Sequence, residues 1–227
     1  MFKPYRKFLL VGEPYCLSTW VCLILAGILG KKTYLWTHGW YGDEGRMKTL
    51  IKKMFYNLSS GLFLYGDYAK KLMIQVGFRN EKMQVVYNSL DYDLQKKVRG
   101  KLKSTGIYRD YFGNNDPVLV FTVRLTPVKK LDQLNEAHKI LSGKGINFNI
   151  VILGDGPEKE KLQKLSGESG LLERYWFYGA CYEETVIGEM YYNAAACISP
   201  GNVGLTAIHS LMYGCPVITH SELHLLP

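Results

Sequence analysis

The most informative segment of the chain is SPGNVGLTAIHSLMYGCPVI, residues 199–218. It reads as a strand end, a turn containing Gly201 and Gly204, a helix that starts near Leu205, a stop at Gly214 and a new strand. Glycines let backbone N–H groups come close to a ligand, and the start of a helix favours an anion. The stretch therefore fits a diphosphate site, and it fits equally an ordinary α/β turn without a ligand.

Two cations occupy a comparable position upstream. Residues 117–121 form a continuous apolar run, as expected of a buried parallel strand. Arg124 and Lys129 follow this run, and a helical pattern begins at Leu131. Both cations thus lie after the carboxyl end of a strand, the edge at which open α/β sheets bind ligands, and both side chains suit a phosphate. Taken alone, the pair would also fit two solvated surface charges.

Apolar strands alternate with helical segments along the whole chain, which predicts a doubly wound parallel sheet. Further strands are expected at residues 148–153, 175–178 and 196–199, and in the first half at 7–12, 32–37, 62–65 and 84–87. The apolar helix predicted at residues 18–30 is too short to span a bilayer, so we expect it to be buried.

The order of the motifs resembles a known family. From Arg124 onward the chain carries R-L-x-x-x-K, L-G-D-G-P, F-x-G, a Y-Y-N-A-A helix end, S-P-x-x-x-G-L and G-x-P-V-I. Each motif is weak alone, but this order over residues 118–218 is similar to the donor-binding domain of retaining glycosyltransferases of the group 1 type, carbohydrate-active family 4.

This resemblance implies an α/β fold of two Rossmann-like domains that face each other across a cleft, called GT-B. We expect a partial N-terminal acceptor-side domain at residues 1–95, a linker at 96–115 and a partial C-terminal nucleotide-sugar domain at 116–227. The residues that would bind the donor are Arg124, Lys129, Gly154, Asp155, Gly179, Gly201, Asn202, Val203, Gly204, Leu205 and His209.

The first half contributes one candidate catalytic residue, His38. The strand at 32–37 ends in His38-Gly39, and in the family a strand ending in His-Gly belongs to the acceptor-side domain and faces the donor sugar. A lone histidine is more often a packed or surface residue. The position of His38 at a strand end, before a glycine-rich turn, favours a functional role.

Two residues depart from the family pattern. The family usually has two glutamates eight positions apart, and the corresponding positions hold Gly201 and His209. The resemblance assigns the first position to the donor sugar and the second to the ribose or nearby sugar hydroxyls. Gly201 offers only backbone donors, whereas His209 can still hydrogen-bond a hydroxyl. Altered donor chemistry, a different acidic residue or low activity all remain open.

Length and cysteine content bear on how complete the two domains are and on whether disulfides or a zinc site are expected. The 227 residues can bury a sizeable core but are fewer than two complete Rossmann-like domains of this family need, so we expect a fragment truncated at both ends. Five cysteines without a C-x-x-C pair favour neither a disulfide framework nor a zinc site, and we expect Cys22, Cys197 and Cys215 to be reduced core residues. No metal and no cofactor are expected, because the nucleotide-diphosphate sugar is a co-substrate.

Charge is distributed unevenly. Residues 1–115 carry 19 Lys or Arg and 8 Asp or Glu, whereas residues 116–227 carry 9 and 12. The basic cluster Lys48, Lys52 and Lys53 fits either a solvated helix face or an anionic surface such as the cytoplasmic leaflet. No nucleic-acid partner is expected, because no RNA-binding motif is present. The expected location is the cytoplasm, and peripheral association with the inner face of the membrane remains open.

The predicted function is transfer of a sugar from a nucleotide-diphosphate sugar to a hydroxyl acceptor, a glycan or lipid-linked molecule of surface polysaccharide or glycolipid synthesis. Family likeness implies retention of anomeric configuration. The site should need no metal, because cations and a helix dipole can stabilise the leaving group. Negative charge grows on the leaving phosphate, and Arg124, Lys129 and the N–H groups around Gly204 would stabilise it. Two alternatives remain: a nucleotide-sugar 2-epimerase-like isomerase, and a catalytically weak nucleotide-sugar-binding protein.

Overall fold

The computed structural model describes residues 4–42 and 44–221, and the chain divides into two compact units after Asn88. The elements of the first unit are β1 (Lys7–Val11), α1 (Leu17–Ile28), β2 (Lys32–Thr37), α2 (Arg46–Asn57), β3 (Gly61–Leu64), α3 (Asp67–Gln75) and β4 (Met83–Val85). The four strands form a parallel sheet in the order β1-β2-β3-β4. Leu35 of β2 and Leu64 of β3 pack with Phe55 of α2 and Met73 of α3 in one apolar core.

The second unit contains a five-stranded parallel sheet. Its elements are α4 (Tyr92–Arg99), α5 (Ile107–Phe112), β5 (Val118–Thr122), α6 (Leu131–Gly143), β6 (Asn149–Leu153), α7 (Lys159–Glu168), β7 (Tyr175–Gly179), α8 (Glu184–Asn193), β8 (Ala196–Ser199), α9 (Thr206–Met212) and β9 (Val217–Thr219). The strand order is β7-β6-β5-β8-β9, and every residue of β6 is buried. The predicted α/β class with parallel sheets is confirmed.

This strand order fixes where a ligand is expected. The chain runs from β5 outward to β6 and β7, and then returns to the other side of β5 to form β8 and β9. The order therefore reverses between β5 and β8, and open α/β sheets bind ligands beyond the carboxyl ends of the strands at such a switch point.

The structure of residues 89–115 differs from the predicted domain boundary and linker. The division falls after Asn88 rather than after residue 95, and the predicted linker at 96–115 contains part of α4 and all of α5. Val98 and Tyr108 are buried in the core of the second unit, and the Tyr108 hydroxyl donates to the Met190 carbonyl oxygen at 2.5 Å. The lysine-rich composition gave no indication of this packing, because the apolar and aromatic side chains that face inward are interspersed with cations.

Helix α1 is not buried as predicted. Only Leu23 and Ala26 of this helix are buried, whereas Leu17 and Ile28 are 79% and 75% exposed. A helix that packs on one side buries one stripe of its surface, and α1 is apolar on its opposite stripe as well. Across the described residues, every helix is too short or too polar to cross a bilayer.

The cysteine prediction is confirmed in the second unit. Cys197 and Cys215 are buried free thiols, whereas Cys22 is only partly buried. Residues 1–3, 43 and 222–227 of the predicted domains lie outside the described part of the chain.

Candidate functional site

An open cavity of about 560 Å³ lies at the carboxyl ends of β5, β6 and β7. We call it the β5–β7 cavity. It is lined by residues that follow these three strands: 122–124 after β5, 153–156 after β6 and 180–182 after β7. The cavity therefore lies at the sheet edge that the strand order marks as the ligand side. Of the predicted donor residues, Arg124, Gly154 and Asp155 are brought together here.

Direct contact between two loops builds the floor of this cavity. The Val123 N–H donates to the Leu153 carbonyl at 3.0 Å, and the Leu125 N–H donates to the Asp155 carbonyl at 2.9 Å. A Cβ atom added at Gly154 would lie 1.8 Å from the Val123 carbonyl oxygen. The glycine of the L-G-D-G-P motif is thus required for the approach of two backbone segments.

The Asp155 side chain forms hydrogen bonds with residues that follow it closely in the chain. Its Oδ1 accepts from the Gly156 N–H at 2.7 Å, and its Oδ2 accepts from Lys159 Nζ at 3.2 Å. The Gly156 hydrogen bond, followed by the Lys159 hydrogen bond, lowers the pKa of this carboxyl. Asp155 is therefore ionised at neutral pH and presents a negative charge at the rim of the β5–β7 cavity.

Lys129 and Gly201 lie in a second loop contact, between the turn at 127–129 and the β8–α9 loop. Lys129 Nζ donates to the Asn202 carbonyl oxygen, and the Asn202 N–H donates to the Val128 carbonyl at 3.2 Å. Lys129 is not among the residues that line the β5–β7 cavity, and burial lowers the pKa of its ammonium group.

Gly201 lies in close contact with the turn at 127–129. A Cβ atom at this position would lie 2.1 Å from the Val128 carbonyl oxygen and 2.7 Å from the Lys129 carbonyl carbon. The missing side chain therefore makes room for the protein's own backbone, and a glutamate would not fit this backbone arrangement. The predicted contact of Gly201 with the donor stays a prediction.

The remaining predicted donor residues complete the two loops. Val203 is buried, Gly204 has the left-handed φ of +58°, and Leu205 is the residue before the first turn of α9. Gly179, with φ of +94°, ends β7 and turns the chain toward residues 180–182 of the cavity wall.

His209 forms a polar cluster with Tyr213 at the end of its own helix and with Glu184 of α8. Its Nε2 lies 2.7 Å from Glu184 Oε1, and the Tyr213 hydroxyl donates to the same oxygen at 2.5 Å. Burial alone would raise the pKa of Glu184, but the hydrogen bonds from Tyr213 and His209 outweigh it and leave the pKa lowered. Because Glu184 is ionised at neutral pH, His209 Nε2 is the donor of this hydrogen bond.

Sequence reasoning missed Glu184 and the residues Ala180, Cys181 and Tyr182. The last three immediately follow Gly179 at the end of a strand, and this position was a usable signal. No comparable signal exists for Glu184, because 25 positions separate it from His209.

His38 lies in the first unit, in the loop between β2 and α2, which we call the His38 loop. Its ring packs against Tyr65 with a centroid distance of 4.3 Å and an interplanar angle of 41°. His38 also lines a small cavity of about 70 Å³. Burial lowers the pKa of His38, and the negative charge of Glu13 partly opposes this shift. The imidazole is therefore neutral at neutral pH and can accept a proton or a hydrogen bond.

Buried side chains hold the His38 loop in place. Lys52 Nζ donates to the Gly39 carbonyl at 2.9 Å and to Glu44 Oε1 at 2.7 Å. The Tyr41 N–H also donates to Glu44 Oε1, at 3.1 Å, and the Gly39 N–H donates to Thr37 Oγ1 at 3.1 Å. The solvated helix face considered for the basic cluster is therefore wrong for Lys52, whose side chain is 5% exposed.

Within residues 4–42 and 44–221, no group of three or more His, Cys, Asp or Glu side chains is arranged to hold a metal ion. The charged groups available to a ligand in the β5–β7 cavity are Arg124 and Asp155.

Comparisons with known proteins identify both a family and a fold. The profile of the family "Glycosyl transferases group 1" matches residues 110–224, about half of the chain. No curated protein sequence matches this chain. Among solved structures, Anabaena Alr3699/HepE in complex with UDP is 18% identical with a TM-score of 0.73. The alignment covers 95% of this chain and 59% of that one.

Two further structures have the same fold. The lipopolysaccharide outer core galactosyltransferase WaaB is 18% identical with a TM-score of 0.65, over 94% of this chain and 56% of that one. The pneumococcal O-GlcNAc transferase GtfA, in complex with UDP and GlcNAc, is 14% identical with a TM-score of 0.68, over 95% and 42%. These similarities confirm the GT-B fold class. The chain spans less than two thirds of the length of each of these structures.

Proposed function

Because the chain belongs to the glycosyl transferases of group 1, we propose that it binds a nucleotide sugar in the β5–β7 cavity and transfers the sugar to a hydroxyl acceptor. The observation that carries the proposal is the position of Arg124. This cation lines a cavity at the carboxyl edge of a sheet whose strand order reverses beside it. The UDP in the structures of HepE and GtfA supports a uridine diphosphate as the first ligand to test.

The chemistry that we propose follows from the fixed charges. Breaking the bond between the anomeric carbon and the diphosphate places negative charge on the leaving phosphate. The Arg124 guanidinium can bind that phosphate with two parallel hydrogen bonds. Lys129 lies on the adjacent turn outside the cavity lining, where it donates to the Asn202 carbonyl oxygen, so its positive charge acts at longer range. We propose that these cations supply the charge stabilisation in a metal-independent reaction that retains anomeric configuration, on an acceptor of surface polysaccharide or glycolipid synthesis.

A nucleotide titration tests the binding step. Arg124→Ala should weaken UDP binding by about 1.5–3 kcal/mol, the scale of a charge-assisted hydrogen bond. Lys164→Ala is the matched control, because Lys164 is exposed on α7 and outside the cavity lining. Calorimetry with UDP, and then with other nucleoside diphosphates, measures both variants. Equal UDP affinity of Arg124→Ala and the parent would refute the assignment.

His38 is proposed to act on the sugar or the acceptor hydroxyl. Its neutral imidazole can accept a hydrogen bond that strengthens in the transition state. His38→Ala should therefore reduce turnover of a UDP-sugar far more than it reduces UDP affinity. A parallel loss of turnover, affinity and folded protein would instead assign His38 a structural role.

The close packing at Gly201 supports a second candidate, a nucleotide-sugar-binding protein with little turnover. The crowding by Val128 leaves no room for an acidic side chain at the position that the family uses for the donor sugar. UDP-sugar binding without release or transfer of the sugar, measured by mass analysis of the products, would favour this candidate.

A further inference from the structure

Helix α2 carries its apolar and charged residues on unexpected faces. Its buried residues are Lys52, Phe55 and Tyr56. Its outward stripe, which we call the α2 stripe, consists of apolar side chains that are 38–73% exposed: Met47, Leu50, Ile51, Met54 and Leu58. Their spacing of three to four residues places them on one side of the helix. A surface helix of a soluble protein normally exposes polar residues on its outer face, whereas α2 exposes an apolar stripe there in addition to burying Phe55 and Tyr56.

Cations accompany the α2 stripe. The helix has the sequence RMKTLIKKMFYN, with four basic residues and no acidic one. Lys52 is paired in the interior with Glu44, and Lys48 Nζ lies 3.8 Å from the other oxygen of the same carboxylate. Arg46 and Lys53 remain on the outer sides of the helix. Residues 1–88 carry 13 Lys or Arg and 5 Asp or Glu, a net charge of +8, whereas residues 89–227 carry 15 of each. The net charge of the whole chain thus resides in the unit that contains α2.

Helix α1 provides an internal comparison. It also exposes an apolar stripe, at Leu17, Val21, Ile24 and Ile28, but its sequence LSTWVCLILAGI contains no charged residue. Exposure alone therefore does not distinguish the two helices. Only α2 combines an apolar stripe with flanking cations, the combination that lies in the interface of an anionic bilayer.

We propose that α2 docks on the surface of an anionic lipid bilayer, with the α2 stripe inserted at the boundary of headgroups and acyl chains. Arg46 and Lys53 would then contact lipid phosphates. A second copy of the chain is a poorer occupant, because pairing two α2 helices would bring like charges together. The inference deepens the proposed function, since it places the enzyme where a lipid-linked acceptor resides.

Vesicle flotation of the full chain tests the docking. We expect binding to vesicles that contain about one third phosphatidylglycerol in phosphatidylcholine, and little binding to phosphatidylcholine alone. Salt should weaken the binding, because it screens the cations. Leu50→Ser combined with Met54→Ser should lower the partition coefficient by about tenfold or more. Arg46→Gln combined with Lys53→Gln should lower it by about fivefold for each charge removed.

The matched control is Val21→Ser combined with Ile28→Ser on α1, which should leave vesicle binding unchanged. Absence of binding to anionic vesicles, or loss of binding only in the α1 variant, would overturn the proposal. So would lipid-free self-association that the α2 serine variant abolishes, because the occupant would then be a second copy. If the serine variant folds poorly, the charge variant decides. Vesicle binding requires no turnover, so its failure is distinguishable from failure of UDP binding or sugar transfer.

Discussion

The strand-end loops of the two units are held in place by different means. In the second unit, backbone packs on backbone: Gly154 lies against the Val123 carbonyl, and Gly201 lies against the Val128 carbonyl. In the first unit, buried side chains hold the His38 loop: Lys52 donates to the Gly39 carbonyl and to Glu44. One arrangement depends on the absence of Cβ atoms, and the other on a buried ion pair.

This difference explains why the loop contacts of the second unit could be predicted from the sequence, whereas the Lys52–Glu44 pair of the first unit could not. A glycine required by close backbone approach stands at a fixed place after a strand, so the motif marks the contact directly. The Lys52–Glu44 pair is formed by an ordinary-looking lysine in a basic helix, and nothing local distinguishes it from its solvated neighbours. The first kind of contact should tolerate no side chain, and the second should tolerate any change that leaves no charge unpaired.

The largest expected effect follows from Gly154→Ala. The added Cβ would meet the Val123 carbonyl at 1.8 Å, and neither backbone segment can move without losing the hydrogen bonds between the loops. We expect the second unit to lose on the order of 4 kcal/mol or more of its free energy of unfolding. Hydrogen-exchange mass spectrometry during urea unfolding measures the two units separately.

Gly167→Ala is the control for this variant. Gly167 lies in α7, and a Cβ atom there would meet nothing within 4 Å. Alanine at this position should stabilise the unit by roughly 0.5–1 kcal/mol through its higher helix propensity. A Gly154→Ala protein as stable as the parent would show that the loop contact does not have the observed geometry.

A somewhat smaller effect is expected from Lys52→Met. The variant keeps most of the side-chain volume but removes the buried ion-pair partner of the Glu44 carboxylate, which is 4% exposed. Only the half-exposed Lys48, at 3.8 Å, then remains near this carboxylate. We expect the first unit to lose about 3 kcal/mol, the scale of breaking one side of a buried pair. Hydrogen exchange at the Gly39 and Tyr41 amides should rise, because the loop loses its anchor.

The double variant Lys52→Met with Glu44→Gln tests whether the two side chains stabilise the first unit as a pair. Removing both charges should restore part of the lost stability, because no buried charge then remains unpaired. UDP affinity should be unchanged in both variants, because neither residue belongs to the unit with the β5–β7 cavity. Additive losses in the double variant would mean that the two side chains do not act as a pair.

The sequence predicted regular elements better than packing partners. The strands at 32–37 and 196–199 have the predicted bounds, and the others differ by one or two residues at their ends, because apolar periodicity records burial directly. The exposed face of α1 and the packing of α4 and α5 could not be predicted, since composition does not reveal which neighbour a helix face meets. For the candidate site, the glycine motifs located the cavity, whereas contacts between distant side chains had no local signal.

The smallest effect is expected from Glu184→Gln, which tests whether side-chain anchoring also operates in the second unit. Glutamine keeps an acceptor for His209 and Tyr213 but removes its charge, so we expect a loss of about 1 kcal/mol at neutral pH. Because hydrogen bonds hold the folded pKa of Glu184 below its ordinary value of 4.5, its stabilising contribution is present above that value and disappears as pH falls through the folded pKa. The stability difference between parent and variant, measured by urea unfolding, should therefore be constant from pH 6 to 8 and shrink below about pH 4.5. If His209 contacts the nucleotide, UDP affinity should fall in Glu184→Gln and recover partly in Glu184→Asp, because a carboxylate again fixes the imidazole. A stability difference that does not change with pH would show that Glu184 is not held ionised by these partners.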